Sequence, residues 1–493
     1  MWPFLGWEWD RCDMLRKGFA ECVFNEDRGV KTARKFTSKS SLNKKLYKLV
    51  KKNMRVRYKT MWTLCKLFKK KKKNNMQTII FGAGASVPFF YPRLSTSYLT
   101  DKVSDINEWD RVIQKYRQYE QNNVLASPAD VMSVIDAIKR LKPDAHFEEI
   151  AEVVDKISSI GFDRIHTNNM MNLQMCVMAT QGFLGNNALK PLGPEWRDVP
   201  FLFREIIAEA ILDLEENHKA ANYQELEDLQ REFIGRVSDM SENTSVLSFN
   251  YDDCVINSLV GLGFEKGFSP AGPHYLRQLD PKKFMKAKKV VYFPHGHVKF
   301  QFTDNDNVTF WGDSEVANQE RWEGVNGALV GSTLTLLNGK YAYNFNTFIT
   351  TGQTKDDSLN HLPYSAYYQR LASDLVNSNV VYIVGYSFGD DHVNRLLQTF
   401  LKIDDGNKVY VIDYYPNAIT LTDEYTTQSN IINKIHIVLG TEWQVKFESG
   451  VKKPFDQVKV DEINARGYGE IFDQVVFYKK GYDAFLHEFG SVI

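Results

Sequence analysis

Five short apolar runs along the chain predict the strands of a buried sheet. They are rich in β-branched and aromatic residues, turn residues bound them, and they lie at residues 78–81, 245–249, 290–293, 380–384 and 408–414. Near-continuous apolar strands that alternate with helical or loop segments are typical of a parallel sheet with both faces covered. We therefore predict an α/β fold, a Rossmann-like parallel sheet with helices on both faces.

The chain between the first and second predicted strands has apolar residues at helical spacing instead. Val153, Val154 and Ile157 share one stripe, and a second stripe runs from Phe201 to Leu214. Apolar residues spaced three and four apart fall on one face of a helix. The pattern predicts a large helical insertion at residues 110–240, whose stripes form core. A lid over a substrate site is the alternative interpretation.

The first 75 residues differ in charge from the rest of the chain. They carry a net charge of +16 and end in a lysine-rich run, whereas residues 76–493 carry −16. We expect residues 1–75 to be a poorly ordered basic extension, a solvated tail or a leader; an arm that contacts nucleic acid or a membrane surface is the alternative. The catalytic domain is then predicted at residues 76–440, and residues 441–493 are expected to pack on it.

The remaining composition narrows the class of protein. An apolar content of 43% is enough for a sizeable core, and the five cysteines form no C-x-x-C pair. Scattered cysteines indicate free thiols in a reducing compartment, which predicts a cytoplasmic location without a disulfide framework. The sequence has no run of about eighteen apolar residues of the kind that spans a membrane.

Small and polar residues follow each predicted strand, where ligands of parallel α/β sheets bind. The motifs are GAGAS at 82–86, NYDD at 250–253, HGH at 295–297, GYSFGDDH at 385–392, and Asp413. A glycine turn after a strand lets the backbone approach a ligand closely, and its freed N–H groups can point at a phosphate. The strand ends therefore predict one ligand site at the carboxyl edge of the sheet.

These motifs, in this order, resemble those of the sirtuin-like family of NAD-dependent proteins. The chain is most similar to the bacterial branch found in anti-phage defence and differs from the histone deacetylases. The resemblance implies two catalytic residues, Asn250 and His295. It further implies a set of NAD-contacting residues: Gly82, Ala83, Gly84 and Ser86 at the pyrophosphate, Asp252 at the nicotinamide end, Gly385 and Ser387 at phosphate and ribose, and Asp413 at the adenosine side.

One departure from the deacetylases bears on the reaction. Residues 298–384, where the deacetylases carry a four-cysteine zinc ribbon, contain no cysteine. The resemblance then implies that NAD⁺ is a substrate hydrolysed to ADP-ribose and nicotinamide, with no metal. It also implies a homo-oligomer and, as in some members, assembly with a HerA-like ATPase or an Argonaute partner. Because this chain has no Walker-type phosphate loop, any such ATPase would be a separate protein.

Two other functions fit parts of the pattern. GYSFG at 385–389 is also a G-x-S-x-G nucleophile elbow, and Asp413 with His436 or His487 follows in the order of α/β-hydrolases. A non-catalytic sensor of NAD or ADP-ribose, or an assembly scaffold, is the third possibility. Asp390 to His392 is interpreted as a helix N-terminus and not as a metal site. His297 is interpreted as structural.

Overall fold

The computed structural model describes residues 76–119, 125–166, 196, 198–270, 277–303, 309–311, 328–329, 334–337, 340–343, 362–420, 430–439, 457–472 and 474–492. The basic extension predicted at residues 1–75 lies outside this part of the chain. The expectations for that extension, and the domain boundaries drawn from it, therefore stay predictions.

The five apolar runs form strands, as predicted. In chain order the strands of the described residues are β1 (Met76–Phe81), β2 (Asn243–Ser248), β3 (Arg277–Gln278), β4 (Lys289–Tyr292), β5 (Phe300–Thr303), β6 (Thr309–Trp311), β7 (Ala328–Leu329), β8 (Leu334–Leu337), β9 (Lys340–Tyr343), β10 (Val380–Val384), β11 (Lys408–Ile412), β12 (Tyr468–Phe472) and β13 (Val475–Tyr478). Every residue of β1 is buried, including the polar residues Gln77 and Thr78 that precede its apolar end.

The main sheet has the strand order of a Rossmann fold. Its order is β12-β13-β11-β10-β1-β2-β4. Neighbouring strands are parallel, except that β12 pairs antiparallel with β13 at one edge. The chain goes from β1 to β2 on one side and later to β10 on the other side. Such a switch point, here between β1 and β10, is where open α/β sheets bind ligands.

The helices of the described residues include the predicted insertion. They are α1 (Thr96–Val103), α2 (Ile106–Tyr119), α3 (Pro128–Leu141), α4 (Phe147–His166), α5 (Val199–Asn217), α6 (Tyr223–Asp239), α7 (Cys254–Ser258), α8 (Pro281–Lys286), α9 (Tyr364–Asn377), α10 (Asp391–Ile403), α11 (Asn430–Leu439), α12 (Gln457–Arg466) and α13 (Tyr482–Val492). Helices α1 to α6 lie between β1 and β2, so helical structure begins at Thr96, earlier than the residue 110 that periodicity indicated.

Helices cover both faces of the main sheet. Tyr382 of β10 and Tyr292 of β4 stand in adjacent rows of the register, so their side chains point to opposite faces. The ring of Phe233 in α6 packs 5.6 Å from Tyr382, and the ring of Tyr367 in α9 packs 5.7 Å from Tyr292. Burial of one such aromatic side chain contributes about 1.5–3 kcal/mol, so these layers stabilise the predicted α/β fold.

The end of the described chain completes the same sheet. Strands β12 and β13 extend it beyond β11, and α13 packs on α6 through the rings of Phe485 and Phe233, which lie 5.2 Å apart. Residues 441–493 thus contribute the edge strand β12 and its neighbour β13 to the sheet.

Candidate functional site

Two glycine turns touch each other at the switch point. The N–H of Gly82 donates to the carbonyl of Val384 at 2.8 Å, and the N–H of Gly84 donates to the carbonyl of Gly385 at 2.9 Å. A Cβ atom on Gly82 would lie 2.6 Å from the Gly385 oxygen, and one on Gly385 would lie 2.4 Å from the Ala85 nitrogen. Gly385 also has a φ of +58°, which favours glycine. Glycine is therefore required here by turn-to-turn contact.

This contact changes the interpretation of the first turn. The N–H groups of Gly82, Gly84, Ala85 and Ser86 all donate to carbonyl oxygens of the protein. The expectation that the GAGAS turn frees these N–H groups for a phosphate is wrong for these four residues. Ala83 is the exposed residue of the motif, and its amide has no such partner among the described residues.

Asn250 is fixed against the first glycine turn. It follows β2, and its backbone N–H donates to Ser248 Oγ at 3.1 Å. Its side-chain Nδ2 donates to the Gly82 carbonyl at 2.9 Å and to Ser86 Oγ at 2.7 Å. Both protons of the amide are used, so the group that Asn250 can offer a ligand is the acceptor Oδ1.

Ser86 and Asp252 hold this amide in place. The Ser86 hydroxyl donates to Asp252 Oδ2 at 2.6 Å, and Oδ1 of Asp252 accepts the N–H of Cys254 at 3.0 Å. Burial raises the pKa of the Asp252 carboxyl, although these hydrogen bonds oppose the rise. Ser86 is only 1% exposed. Its place inside the protein, between Asn250 and Asp252, differs from the pyrophosphate contact that the resemblance implies.

His295 lies at the same edge of the sheet. It follows β4, and its Nε2 lies 3.1 Å from Oδ2 of Asp390, which follows β10. The His295 ring packs on Phe249 with centroids 4.5 Å apart, and Phe249 stacks on Tyr386 at 5.3 Å. Because Phe249 directly precedes Asn250, this aromatic layer connects the surroundings of the two predicted catalytic residues.

His297 has a different environment. It is fully buried, its Nε2–H donates to the Asp252 carbonyl at 3.0 Å, and its Nδ1 accepts the N–H of Lys299 at 3.1 Å. Burial lowers the pKa of His297 to about 3, so the ring is neutral. The interpretation of His297 as structural is confirmed.

Carboxylates from the helical insertion also reach the site, and sequence reasoning missed them. Glu215 of α5 accepts the N–H of Asp253 at 2.5 Å, and Asp253 forms an ion pair with Lys299. Burial, followed by the charges of Asp253 and Asp252, raises the pKa of the Glu215 carboxyl. The Tyr251 hydroxyl forms a hydrogen bond with Glu148 of α4. The only signal in the sequence was the presence of acidic residues within apolar helical patterns.

Asp390 combines a predicted role with one that was missed. Its Oδ1 accepts the N–H groups of His392 and Val393 at 2.9 and 3.2 Å, which confirms the predicted cap at the start of α10. Its other oxygen accepts from His295. Among the described residues, no group of three or more His, Cys, Asp or Glu side chains could hold a metal ion.

Asp413 lies next to the second glycine turn, which begins at Gly385. The N–H of Gly385 donates to the Ile412 carbonyl at 2.8 Å, which places Asp413 beside the turn. The Asp413 carboxyl accepts the N–H of Tyr414 at 2.7 Å, and burial raises its pKa to about 6. Ser387 is exposed, and its carbonyl accepts from Lys434 Nζ at 3.2 Å.

The geometry of this turn differs from that of a nucleophile elbow. In such an elbow the strained residue is the serine itself. Here Phe388 has a φ of +56°, and Ser387 does not share this conformation. His487 lies 3.6 Å from Asp483 within α13. The side chain of His436, the other candidate histidine of an α/β-hydrolase triad, lies outside the described residues.

Residues 244–437 match the family model described as SIR2-like domain. This range contains the predicted site residues Asn250, Asp252, His295, Gly385, Ser387 and Asp413, and the first glycine turn precedes it. No curated protein matches the chain. None of the helices in the described part of the chain is long and apolar enough to cross a membrane. Residues 244–437 are thus similar to a SIR2-like domain, which is consistent with the sirtuin-like family and supports an NAD-dependent enzyme in general.

Proposed function

We propose that this chain is an NAD⁺ hydrolase that cleaves NAD⁺ to ADP-ribose and nicotinamide. The observation that carries the proposal is the fixed amide of Asn250. Its Nδ2 protons bind Gly82 and Ser86, and its acceptor Oδ1 remains at the carboxyl edge of the sheet. His295 lies at that edge too, and Phe249 packs between the two strand ends. The SIR2-like domain agrees with NAD⁺ as the molecule bound there.

The chemistry requires a polar, precisely held group next to the ribose. When the bond between nicotinamide and C1′ breaks, nicotinamide leaves with the bonding electron pair and the ribose becomes an oxocarbenium-like cation. The Asn250 Oδ1 accepts a hydrogen bond from a ribose hydroxyl or from the attacking water. The nearby Asp252 carboxylate, when ionised, stabilises the positive charge that develops on the ribose. The hydroxyl of Ser86 holds this carboxylate in place.

His295 is the base in this scheme. The oxygen of the attacking water forms the new bond to C1′, and one of its protons passes to the imidazole. A positioned base contributes about 10²–10⁴-fold in rate, which corresponds to roughly 3–5 kcal/mol of the barrier. The overall reaction consumes one water and releases one proton to solvent after His295 is deprotonated again.

The pyrophosphate and adenosine contacts are proposed for a smaller set of residues than the sequence indicated. Ala83 and Ser387 are exposed residues of the two turns at the switch point. Gly82, Gly84 and Gly385 let the turns approach each other and shape this surface. Asp413 follows Ile412, whose carbonyl accepts the N–H of Gly385, and in this proposal its carboxyl accepts hydrogen bonds from the adenosine ribose.

Water is the proposed acceptor because residues 298–384 lack the cysteines of a zinc ribbon. Without that module, the peptide-binding cleft of the deacetylases has no counterpart in this stretch of the sequence. We extend the proposal to anti-phage defence, in which the enzyme depletes cytoplasmic NAD⁺ as a homo-oligomer. A separate HerA-like ATPase or another defence protein would then be its partner.

The proposal is tested by nicotinamide release from NAD⁺, measured for the purified chain alone and with the protein encoded next to it. We expect Asn250→Ala to lose at least about 10²-fold in rate per folded molecule, with a lower unfolding temperature because two buried hydrogen bonds are lost. Asn107→Ala, at an exposed asparagine in α2, is the matched control and should keep full activity. Wild-type turnover by Asn250→Ala would contradict the mechanism.

A fluorophosphonate probe separates the main alternative. It reacts with an activated serine, so labelling of Ser387 would support the α/β-hydrolase function. We expect no labelling. NAD⁺ binding without turnover, in every combination with the neighbouring protein, would instead favour the sensor or scaffold.

A further inference from the structure

We propose that Asp390 is a positioning residue for His295, which it holds with the proton on Nε2 so that Nδ1 is the basic nitrogen. The inference rests on the proposed function for its kinetic part only. His295 Nε2 and Asp390 Oδ2 are 3.1 Å apart, and both side chains are 8% exposed. A pair so well shielded from water is held more firmly than an exposed one.

The pair connects distant parts of the sheet. His295 follows β4 and Asp390 follows β10, and strands β2 and β1 lie between them in the sheet. The contact therefore crosses the carboxyl edge where the switch point and Asn250 lie. A side-chain bond across this edge fixes the loop after β4 relative to the start of α10.

Asp390 is itself held by several donors. Its Oδ1 caps α10 by accepting two backbone N–H groups, and the Tyr368 hydroxyl lies 3.4 Å from Oδ2. Its own N–H donates to the Tyr386 hydroxyl at 3.2 Å. Backbone donors and the positive end of a helix favour an ionised carboxylate. One oxygen thus caps the helix, and the other is available to the imidazole.

A carboxylate can only accept, so the nitrogen that faces it carries the proton. In a neutral imidazole the lone pair is then on Nδ1. Phe249 packs against the ring and restricts its rotation. A base that is oriented by a carboxylate on its far side is the arrangement found in catalytic triads, where the carboxylate sets the tautomer of the histidine.

The decisive variant is Asp390→Asn. Asparagine caps helices as well as aspartate does, so its Oδ1 can keep the start of α10 intact. Its amide donates to Nε2 of His295, which moves the imidazole proton to Nδ1. Asp391→Asn is the matched control, because Asp391 is exposed and loses the same charge one residue away.

Two readouts are required. With ¹⁵N-labelled histidine and His295 assigned through a His295→Gln variant, NMR should show Nε2 protonated in the wild type and in Asp391→Asn, and Nδ1 protonated in Asp390→Asn. Nicotinamide release should fall about 10²–10⁴-fold in kcat for Asp390→Asn, with little change in KM for NAD⁺. Asp391→Asn should match the wild type.

The outcomes separate this inference from the proposed function. An unchanged His295 tautomer in Asp390→Asn would overturn the inference whether or not the chain hydrolyses NAD⁺. A tautomer change in a chain that releases no nicotinamide would support the pairing, although the NAD⁺ hydrolase proposal would fail. A lower kcat with a lower unfolding temperature and an unchanged tautomer would assign Asp390 to helix capping alone and overturn the inference.

Discussion

Two histidines, two residues apart, have opposite environments. His295 pairs with Asp390 from across the sheet and packs on the ring of Phe249. His297 binds backbone groups through both ring nitrogens, and burial lowers its pKa to about 3 although Asp253 Oδ1 lies 3.5 Å from its Nε2. Complete burial therefore outweighs the nearby carboxylate at His297, whereas the His295 side chain keeps 8% exposure beside Asp390.

The largest expected difference between the two is catalytic. His295→Ala should lower kcat for nicotinamide release about 10²–10⁴-fold, because it removes the proposed base. It also removes a buried ring and its bond to Asp390, so the unfolding temperature should fall although the variant still folds. Nicotinamide release and thermal unfolding of the same preparation check both expectations. Full activity in His295→Ala would show that His295 is not the catalytic histidine of the two.

His297→Ala should act on stability instead. It removes a buried ring and two hydrogen bonds, which should lower the free energy of unfolding by about 2–4 kcal/mol. Chemical denaturation measures this loss. The kcat per folded molecule should remain within a few fold of the wild type, so an inactive but fully stable His297→Ala would show that the two roles are not separate.

The smallest effect is the pH dependence of stability. His297 has an ordinary pKa of 6.5 when unfolded and about 3 when folded, so the unfolded chain binds the proton first. Its contribution to stability is intact above pH 6.5 and falls by about 1.4 kcal/mol per pH unit below that, so acidification to about pH 5 costs about 2 kcal/mol.

A His297→Gln variant isolates this slope. Carboxyls with a raised pKa, such as that of Asp413, are present in both proteins, so they cancel when the two are compared. Denaturation at about pH 7 and about pH 5 should show the wild type losing more stability than His297→Gln on acidification. Equal losses would show that His297 is protonated inside the fold.

The sequence was sufficient for five parallel strands of the main sheet, because an apolar run such as 380–384 is a local signal, but it did not predict β12 and β13. The turn residues behind the five runs indicated where a ligand is expected. Contacts between distant residues could not be obtained this way. The N–H of Gly84 donates to the carbonyl of Gly385, about three hundred positions further along the chain. Such contacts explain why N–H groups predicted to bind phosphate already have partners in the protein.

The partners of the site residues depend on the same long-range packing. Asp390 was correctly predicted as a helix cap from its position before an apolar helix, but the β4–β10 crossing that brings it to His295 has no local signature. Ser86 was expected at a phosphate, and in the fold it orients Asn250. Glu215 reaches Asp253 only because α5 packs beside the second strand end.

The most direct measurement is a crystal structure of His295→Ala with NAD⁺ bound. We expect the nicotinamide ribose at the carboxyl edge of the sheet, with one hydroxyl about 3 Å from Asn250 Oδ1 and C1′ facing the position of the missing imidazole. NAD⁺ bound with its nicotinamide ribose away from both positions would contradict this expectation.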